Sequence, residues 1–202
     1  MPLSAKDRRL IRLTAAIVLG HWDEVELVRQ SAPAGEPDRA WREAVLQTHL
    51  FAGFPRLVEA YERLERAGGL GARDADEERG GANDPEGGAA LFERIYGERA
   101  GAVRARLAAF HPDFADWTLG HAYARVLARP GLGADRRELF AVAALAATGQ
   151  DRQLASHARG SVRCGATRAE VFAVLDVIDG LARPERLERA RTVLERFARE
   201  SD

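Results

Sequence analysis

Residues 135–149 read DRRELFAVAALAATG, and residues 150–165 continue as QDRQLASHARGSVRCG. In both stretches apolar residues recur at three- and four-residue spacing, and alanine and leucine are strong helix formers. Gly149 falls where a helix C-terminus needs a positive φ, and Thr167-x-x-Glu170 has the pattern of a capping box that opens a further helix. This part of the chain therefore predicts three helices, the first two forming a hairpin that turns at Gly149.

The rest of the chain is also rich in helix formers. Strand signals, which are runs of alternating β-branched and aromatic residues, are nearly absent. The sequence predicts an all-α protein with helices over residues 5–20, 22–32, 37–51, 55–67, 88–108 with a break near Gly97, 113–128, 135–148, 151–163, 168–181 and 184–200.

One long segment, residues 68–88, departs from the helical pattern. It reads GGLGARDADEERGGANDPEGG, in which glycine and acidic residues replace the apolar residues that would pack a core. A phosphate-binding loop is disfavoured, because the Lys-Ser/Thr ending of a P-loop is missing and the acids would repel phosphate. We therefore predict a flexible linker or mobile loop.

The two sides of this segment show a weak internal repeat. Residues 9–20 align with residues 138–149, and with a two-residue gap residues 41–45 align with residues 168–171. Helix hairpins that cannot bury their apolar faces alone commonly stack on a duplicate. The sequence therefore predicts a degenerate repeat over residues 1–67, the flexible linker over 68–88, and a second repeat carrying the polar site over 89–202.

Composition excludes several classes of function. With 30 Lys and Arg against 31 Asp and Glu, the formal net charge of the 202 residues is -1, which gives no support to a nucleic-acid partner. Cys164 is the only cysteine, so one chain cannot form a disulfide, a Cys-x-x-Cys redox pair or a thiolate zinc site. The charged N-terminus does not fit a signal peptide, and no apolar run reaches the roughly 18 residues of a membrane span. We expect a cytoplasmic protein that does not contact a membrane.

Glu138 and His157 are the strongest candidates for a functional site. If the hairpin turns at Gly149, Glu138 lies roughly 16 Å down one arm and His157 about 12 Å down the other, an offset that the two side chains can span. A glutamate beside an imidazole raises the pKa of the imidazole and fixes its tautomer. The two residues are therefore suited to acid–base chemistry.

Three other interpretations stay open for these residues. Glu138 stands three residues after Asp135, where an acidic side chain caps a helix N-terminus. His157 is also typical of a histidine packed between helices. A metal site made of His157, Glu138 and His49 has suitable ligand types but lacks a spacing typical of metal ligands.

The polar motifs resemble those of one known family. Arg137-Glu138-Leu139 before an Ala/Leu helix, Gln153-Leu154-x-x-His157-x-x-Gly160, Cys164-Gly165-Ala166-Thr167 and Glu170-Val171 look like the carboxymuconolactone decarboxylase family, which includes the alkylhydroperoxidase AhpD. Residues 45–55, VLQTHLFAGFP, resemble the helix that normally follows this motif in the family, yet here they precede the linker. The resemblance implies an AhpD-like helical bundle of two repeats, the first keeping the Ala-Gly-Phe-Pro helix and the second keeping the polar site.

The resemblance also separates two activities. The peroxidase branch of the family uses a glutamate, a Cys-x-x-Cys pair and a histidine, which map to Glu138, to Gln150 and Gln153, and to His157. Because glutamine is neither a nucleophile nor a redox centre, the resemblance disfavours peroxide reduction. It favours the decarboxylase branch, which needs neither a metal nor an organic cofactor.

The resemblance therefore implies cofactor-free decarboxylation or proton transfer on a small carboxylated lactone or a related acid. Glu138 and His157 would be catalytic, and the partners would be a small-molecule substrate and further copies of the chain. The alternative is a non-catalytic member that serves as a helical small-molecule or protein interaction module. The residues expected to bind the substrate are Gln150, Gln153, Tyr123, Arg137 and Arg159.

Overall fold

The computed structural model describes residues 2–80 and 82–199, and every regular element in these two ranges is helical, as the sequence predicts. None of the described helices has both the length and the apolar character needed to cross a bilayer. A 3-10 turn spans Gly97–Arg99 and a π-helical segment spans Thr118–Leu127. The α-helices are α1 (Ala5–Leu19), α2 (Trp22–Gln30), α3 (Arg39–Gln47), α4 (His49–Arg66), α5 (Ala75–Glu78), α6 (Pro85–Tyr96), α7 (Ala100–Phe110), α8 (Pro112–Trp117), α9 (Ala134–Thr148), α10 (Asp151–Arg163), α11 (Arg168–Val177) and α12 (Pro184–Phe197).

Most helix boundaries follow the sequence prediction, and the predicted break at Gly97 separates α6 from α7. Glu200, the last residue of the final predicted helix, lies outside the described residues. The helix predicted over 37–51 is an exception, because α3 ends at Gln47 and α4 begins at His49. α4 then kinks at Gly53, whose φ of 77 is readily adopted only by glycine.

The two halves of the chain repeat the same helix order. α9, α10 and α11 begin 129 residues after α1, α2 and α3 (134 against 5, 151 against 22, 168 against 39). Both α1 and α9 end on a glycine with φ 74, the left-handed conformation typical of a helix C-terminus. At this offset Arg9 and Val28 of the first copy correspond to Glu138 and His157 of the second. Only the second copy therefore carries the polar pair.

α9 lies at the centre of the core. Every residue from Arg137 to Ala147 is buried, and the helix packs against α1, α10 and α11. Trp41 of α3 and Leu154 of α10 belong to the same apolar cluster as Phe140 of α9. The two repeats therefore share one core, so each helps to bury the apolar faces of the other.

The segment predicted as a flexible linker makes specific contacts with α3. It contains the short helix α5, and Arg42 of α3 donates to both carboxylate oxygens of Glu77 at 2.9 and 2.6 Å. Arg42 also donates to the backbone carbonyl of Leu70 at 3.0 Å. Gly81 lies outside the described residues. Glu77 of this segment thus neutralises an arginine that lies on another helix.

A second apolar cluster lies beside the shared core. Phe92 and Ile95 of α6 pack there with Tyr123 of the π-helical segment and with Cys164 at the end of α10. α6 approaches the π-helical segment so closely that a Cβ on Gly88 would lie 2.7 Å from the backbone of the facing helix. This cluster covers α10 on the side that faces α6.

Candidate functional site

Glu138 and His157 are hydrogen-bonded across the α9–α10 hairpin. Nδ1 of His157 lies 2.9 Å from Oε2 of Glu138. The Glu138 side chain is 1% exposed and the His157 side chain 12%, so the imidazole is the more exposed member of the pair. Glu138 is the fifth residue of α9, beyond the first turn, and its carboxylate contacts the histidine. The capping interpretation of Glu138 is therefore wrong.

Gly160 makes room for the Glu138 carboxylate. A Cβ at this position would lie 2.5 Å from Oε2 of Glu138 and 2.9 Å from Cγ2 of Ile95. Gly160 is one turn after His157 on the same face of α10, so both residues face α9. The glycine in the motif His157-x-x-Gly160 is therefore a steric requirement of the hydrogen-bonded pair.

The charge of Glu138 favours the protonated form of His157. Burial lowers the pKa of His157, but Coulombic attraction to Glu138 and the hydrogen bond to its carboxylate outweigh burial, and the net pKa is raised. Because Nδ1–H donates to Glu138, Nε2 is the nitrogen available for proton exchange. Among residues 2–80 and 82–199, no side chain or carbonyl forms a hydrogen bond with Nε2.

Two tyrosines belong to the second apolar cluster, which also contains Cys164 at the end of α10. The ring of Tyr123 meets Phe92 edge-on at 4.9 Å, and the ring of Tyr96 lies 6.5 Å from that of Tyr123. Burial raises the pKa of both tyrosines, and the charge of Glu138 raises each pKa further. Both phenols therefore keep their protons at neutral pH. Sequence reasoning missed Tyr96, because it stands outside the polar motifs.

Cys164 is buried next to the same cluster and is a poor nucleophile. Cys164 is 7% exposed. Its burial, and to a smaller extent the negative charge of Glu138, raise the pKa of the thiol to about 12. The thiolate is the nucleophilic form of cysteine. This environment agrees with the sequence argument against thiol-dependent chemistry.

The first repeat supplies one wall of the site. Phe51, in the first turn of α4, meets the imidazole ring of His157 edge-on with 6.4 Å between the ring centroids. The fold thus places the helix that contains Ala-Gly-Phe-Pro against the histidine, although positions 51 and 157 are 106 residues apart in the sequence. The likeness of residues 45–55 to a family element was the only sequence signal that pointed to Phe51.

Arg137 and Arg159, the two arginines expected to bind the substrate, are both engaged in contacts with other side chains. Arg137 is 1% exposed, donates to Glu43 of α3 at 2.9 Å, and donates to the backbone carbonyl of Arg129 at 2.9 Å. Arg159 packs over the ring of Phe197 on α12 at 4.7 Å. The expectation for Arg137 is corrected: its guanidinium joins α3 to α9, because a buried charge needs a buried partner.

The two glutamines are accessible. Gln150 is the N-cap of α10, and Gln153 is one helical turn before His157 on the same helix. Both side chains are exposed. Gln153 therefore lies on the same side of α10 as His157 and is exposed to solvent.

His49 forms a different contact from the one that the metal interpretation needs. Its Nε2 lies 2.8 Å from Nε2 of His121, and its ring stacks on Phe54 at 5.1 Å. In the part of the chain that the structure describes, no three His, Cys, Asp or Glu side chains converge as metal ligands. His49 and the Glu138–His157 pair are therefore separate features.

Fold and site together define an all-helical, two-repeat protein with a hydrogen-bonded glutamate and histidine in one helix hairpin. The family model described as the carboxymuconolactone decarboxylase family matches residues 112–196, which contain both members of the pair. The match covers fewer than half of the 202 residues, so it shows a resemblance to that family over this part of the chain. None of the curated proteins compared with the chain matches it.

Proposed function

We propose that the protein is a cofactor-free enzyme that decarboxylates, or transfers a proton on, a small carboxylated lactone or a related acid. The observation that carries the proposal is the buried carboxylate of Glu138 at 2.9 Å from Nδ1 of His157, with Nε2 left available. A buried carboxylate that holds an imidazole in one tautomer is a recurrent device of general acid–base catalysis.

The chemistry follows from the two ionisation states of His157. In decarboxylation the bond between carbon and the leaving carboxylate breaks, CO2 departs, and the electron pair moves into the conjugated unsaturated lactone. The carbanion-like centre then takes a proton from Nε2–H, and the neutral imidazole regains a proton from solvent. Glu138 stabilises the imidazolium form, so a proton donor is present near neutral pH.

Neighbouring side chains are suited to hold such a substrate. The exposed amide of Gln153 lies one turn from the imidazole and can donate to a carboxylate or lactone oxygen. Phe51 offers an apolar wall against the histidine ring. Gln150, at the start of α10, and Tyr123, in the second apolar cluster, are the other proposed substrate contacts.

The test measures turnover of carboxymuconolactone, monitored through the release of CO2, in His157→Gln, Glu138→Gln and the double variant. Each single substitution should lower the rate by about 10²–10⁴, and the double variant should be little slower than either single one, because the two residues act as a unit. His21→Gln, at an exposed histidine that forms no cap hydrogen bond, is the matched control and should keep full activity. Variants that melt early but turn over normally would contradict the proposal.

We also propose that further copies of the chain cover the α7–α8 hairpin. Its largest apolar side chains are highly exposed, with Phe110 at 64%, Phe114 at 44% and Trp117 at 67%. Among the described residues, α7 packs mainly against α6, the Gly97–Arg99 turn and α8. Its outer face therefore does not pack against the shared core of the two repeats. In a symmetric dimer this stripe would pack on its own copy.

Sedimentation velocity tests the assembly. The wild-type chain should sediment as an oligomer, and Phe110→Ser with Trp117→Ser should shift it toward the monomer, because each removes an apolar anchor. Leu27→Ser removes a comparably exposed side chain, 58%, from α2 and should leave the assembly intact. A monomeric wild-type protein would contradict the proposal.

A further inference from the structure

A separate cleft opens between α3, α4 and the segment that carries α5. Its volume is about 870 Å³, within the usual range for small-molecule sites. Leu46, Leu64 and Leu70 form its apolar wall, and Tyr61 stands beside them. Glu138 and His157 are not among its lining residues. It is called the α3–α4 cleft below.

The buried and half-buried charged side chains at the floor of the α3–α4 cleft and directly behind it are more positive than negative. Both Arg129 and Arg137 donate to Glu43, each through a contact of 2.9 Å. Arg42 is matched by Glu77 at 2.6 Å. Arg42, Arg129, Glu43 and Glu77 line the cleft, and the buried Arg137 lies behind Glu43. This group therefore holds three guanidiniums against two carboxylates. An excess buried cation favours occupation by an anion, since an unpaired charge is costly in a low-dielectric site.

Three donors remain for such an anion. Arg129 uses Nε and one Nη to bind Glu43, and its Nη1 has no hydrogen-bond partner within residues 2–80 and 82–199. In the same described ranges the exposed Arg73 forms no ion pair. Tyr61 lines the same cleft as Arg73 and Arg129. Burial and the charge of Glu43 raise the pKa of its phenol, whereas the charges of Arg73 and Arg129 lower it.

We propose that the α3–α4 cleft binds a small organic monocarboxylate, held by Arg73, Arg129 and the Tyr61 hydroxyl. The apolar part of the ligand packs on the leucine wall, and its carboxylate neutralises the excess guanidinium. Glu62 and Glu65 also line the cleft. These carboxylates would repel a doubly charged phosphate, so a single negative charge fits better.

The test is a titration of the ¹⁵N-labelled full chain with benzoate, with benzamide as its neutral counterpart. Benzoate should shift the backbone amide signals of Leu70, Gly71 and Arg73 saturably, and benzamide should not. Arg73→Gln should weaken benzoate binding about tenfold, since one charge-assisted contact is lost. Tyr61→Phe should weaken it by a smaller factor, because a neutral donor is lost.

Two controls locate the binding. Arg79→Gln removes an exposed arginine of the same segment that does not line the cleft, and it should bind benzoate normally. His157→Gln should also bind normally, which separates this cleft from the proposed catalytic pair. Equal binding of benzamide, full affinity in Arg73→Gln, or no saturable shift up to about 20 mM benzoate, where a millimolar site would fill, would overturn the proposal.

Discussion

Glu43→Gln is the sharpest perturbation of the fold, because it removes the carboxylate that two arginines share. Glu43 lies on α3 in the first repeat, whereas Arg129 and Arg137 come from the second. The substitution keeps the size of the side chain and one acceptor oxygen. It therefore isolates the loss of negative charge from a loss of packing.

The magnitude follows from burial. The side chain of Arg137 is 1% exposed and that of Glu43 is 2%, so neither solvent nor salt screens the pair. Breaking a buried ion pair by removing one partner costs about 3–5 kcal/mol, because the remaining charge stays buried and uncompensated. Arg129 is 16% exposed and regains some hydration. We therefore expect a loss of about 3 kcal/mol, a large share of the 5–15 kcal/mol that typically stabilises a domain.

The assay is urea unfolding followed by far-ultraviolet circular dichroism and tryptophan fluorescence. Both signals should move together to lower urea, since the two repeats share one core. Glu59→Gln is the matched control: it breaks an ion pair with Arg63 at 2.7 Å, but the Glu59 side chain is 36% exposed, so the urea midpoint should move far less. A loss below about 1 kcal/mol in Glu43→Gln, or separate transitions for the two signals, would refute the reasoning.

Two further predictions concern the polar pair. Gly160→Ala should destabilise the protein by about 1–3 kcal/mol despite the better helix propensity of alanine, because the new Cβ displaces the carboxylate of Glu138; an alanine variant as stable as the wild type in urea would contradict this. The pKa of His157 is higher in the folded protein than the value of about 6.5 in the unfolded chain. The histidine therefore stabilises the folded state fully below about pH 6.5, and this stabilisation is lost as the pH rises through the pKa of the folded protein. The difference in urea midpoint between wild type and His157→Gln should therefore shrink from about pH 6 to pH 9, and a difference that grows would show that the sign is wrong.

Local chemistry made much of the site predictable from the sequence. Gly149 ends α9 and α10 begins two residues later, so the hairpin register depends on a turn whose geometry a few residues determine. Helical rise then places Glu138 opposite His157, as the 2.9 Å contact shows. The capping box at Thr167 and Glu170 is likewise a property of four consecutive residues, and the structure contains it.

Only the tertiary structure decided which distant residues complete the site. Arg137 and Glu138 are adjacent in sequence, yet one is neutralised by Glu43, 94 residues away, and the other pairs with His157. Phe51 reaches the imidazole because α4 of the first repeat packs against the second. Periodicity and capping depend on neighbours within a turn or two, whereas the partner of a buried charge depends on which helices share the core. The sequence by itself therefore determined the helices and the Glu138–His157 contact. The packing of the two repeats determined which arginine is buried and which side chain packs against the histidine ring.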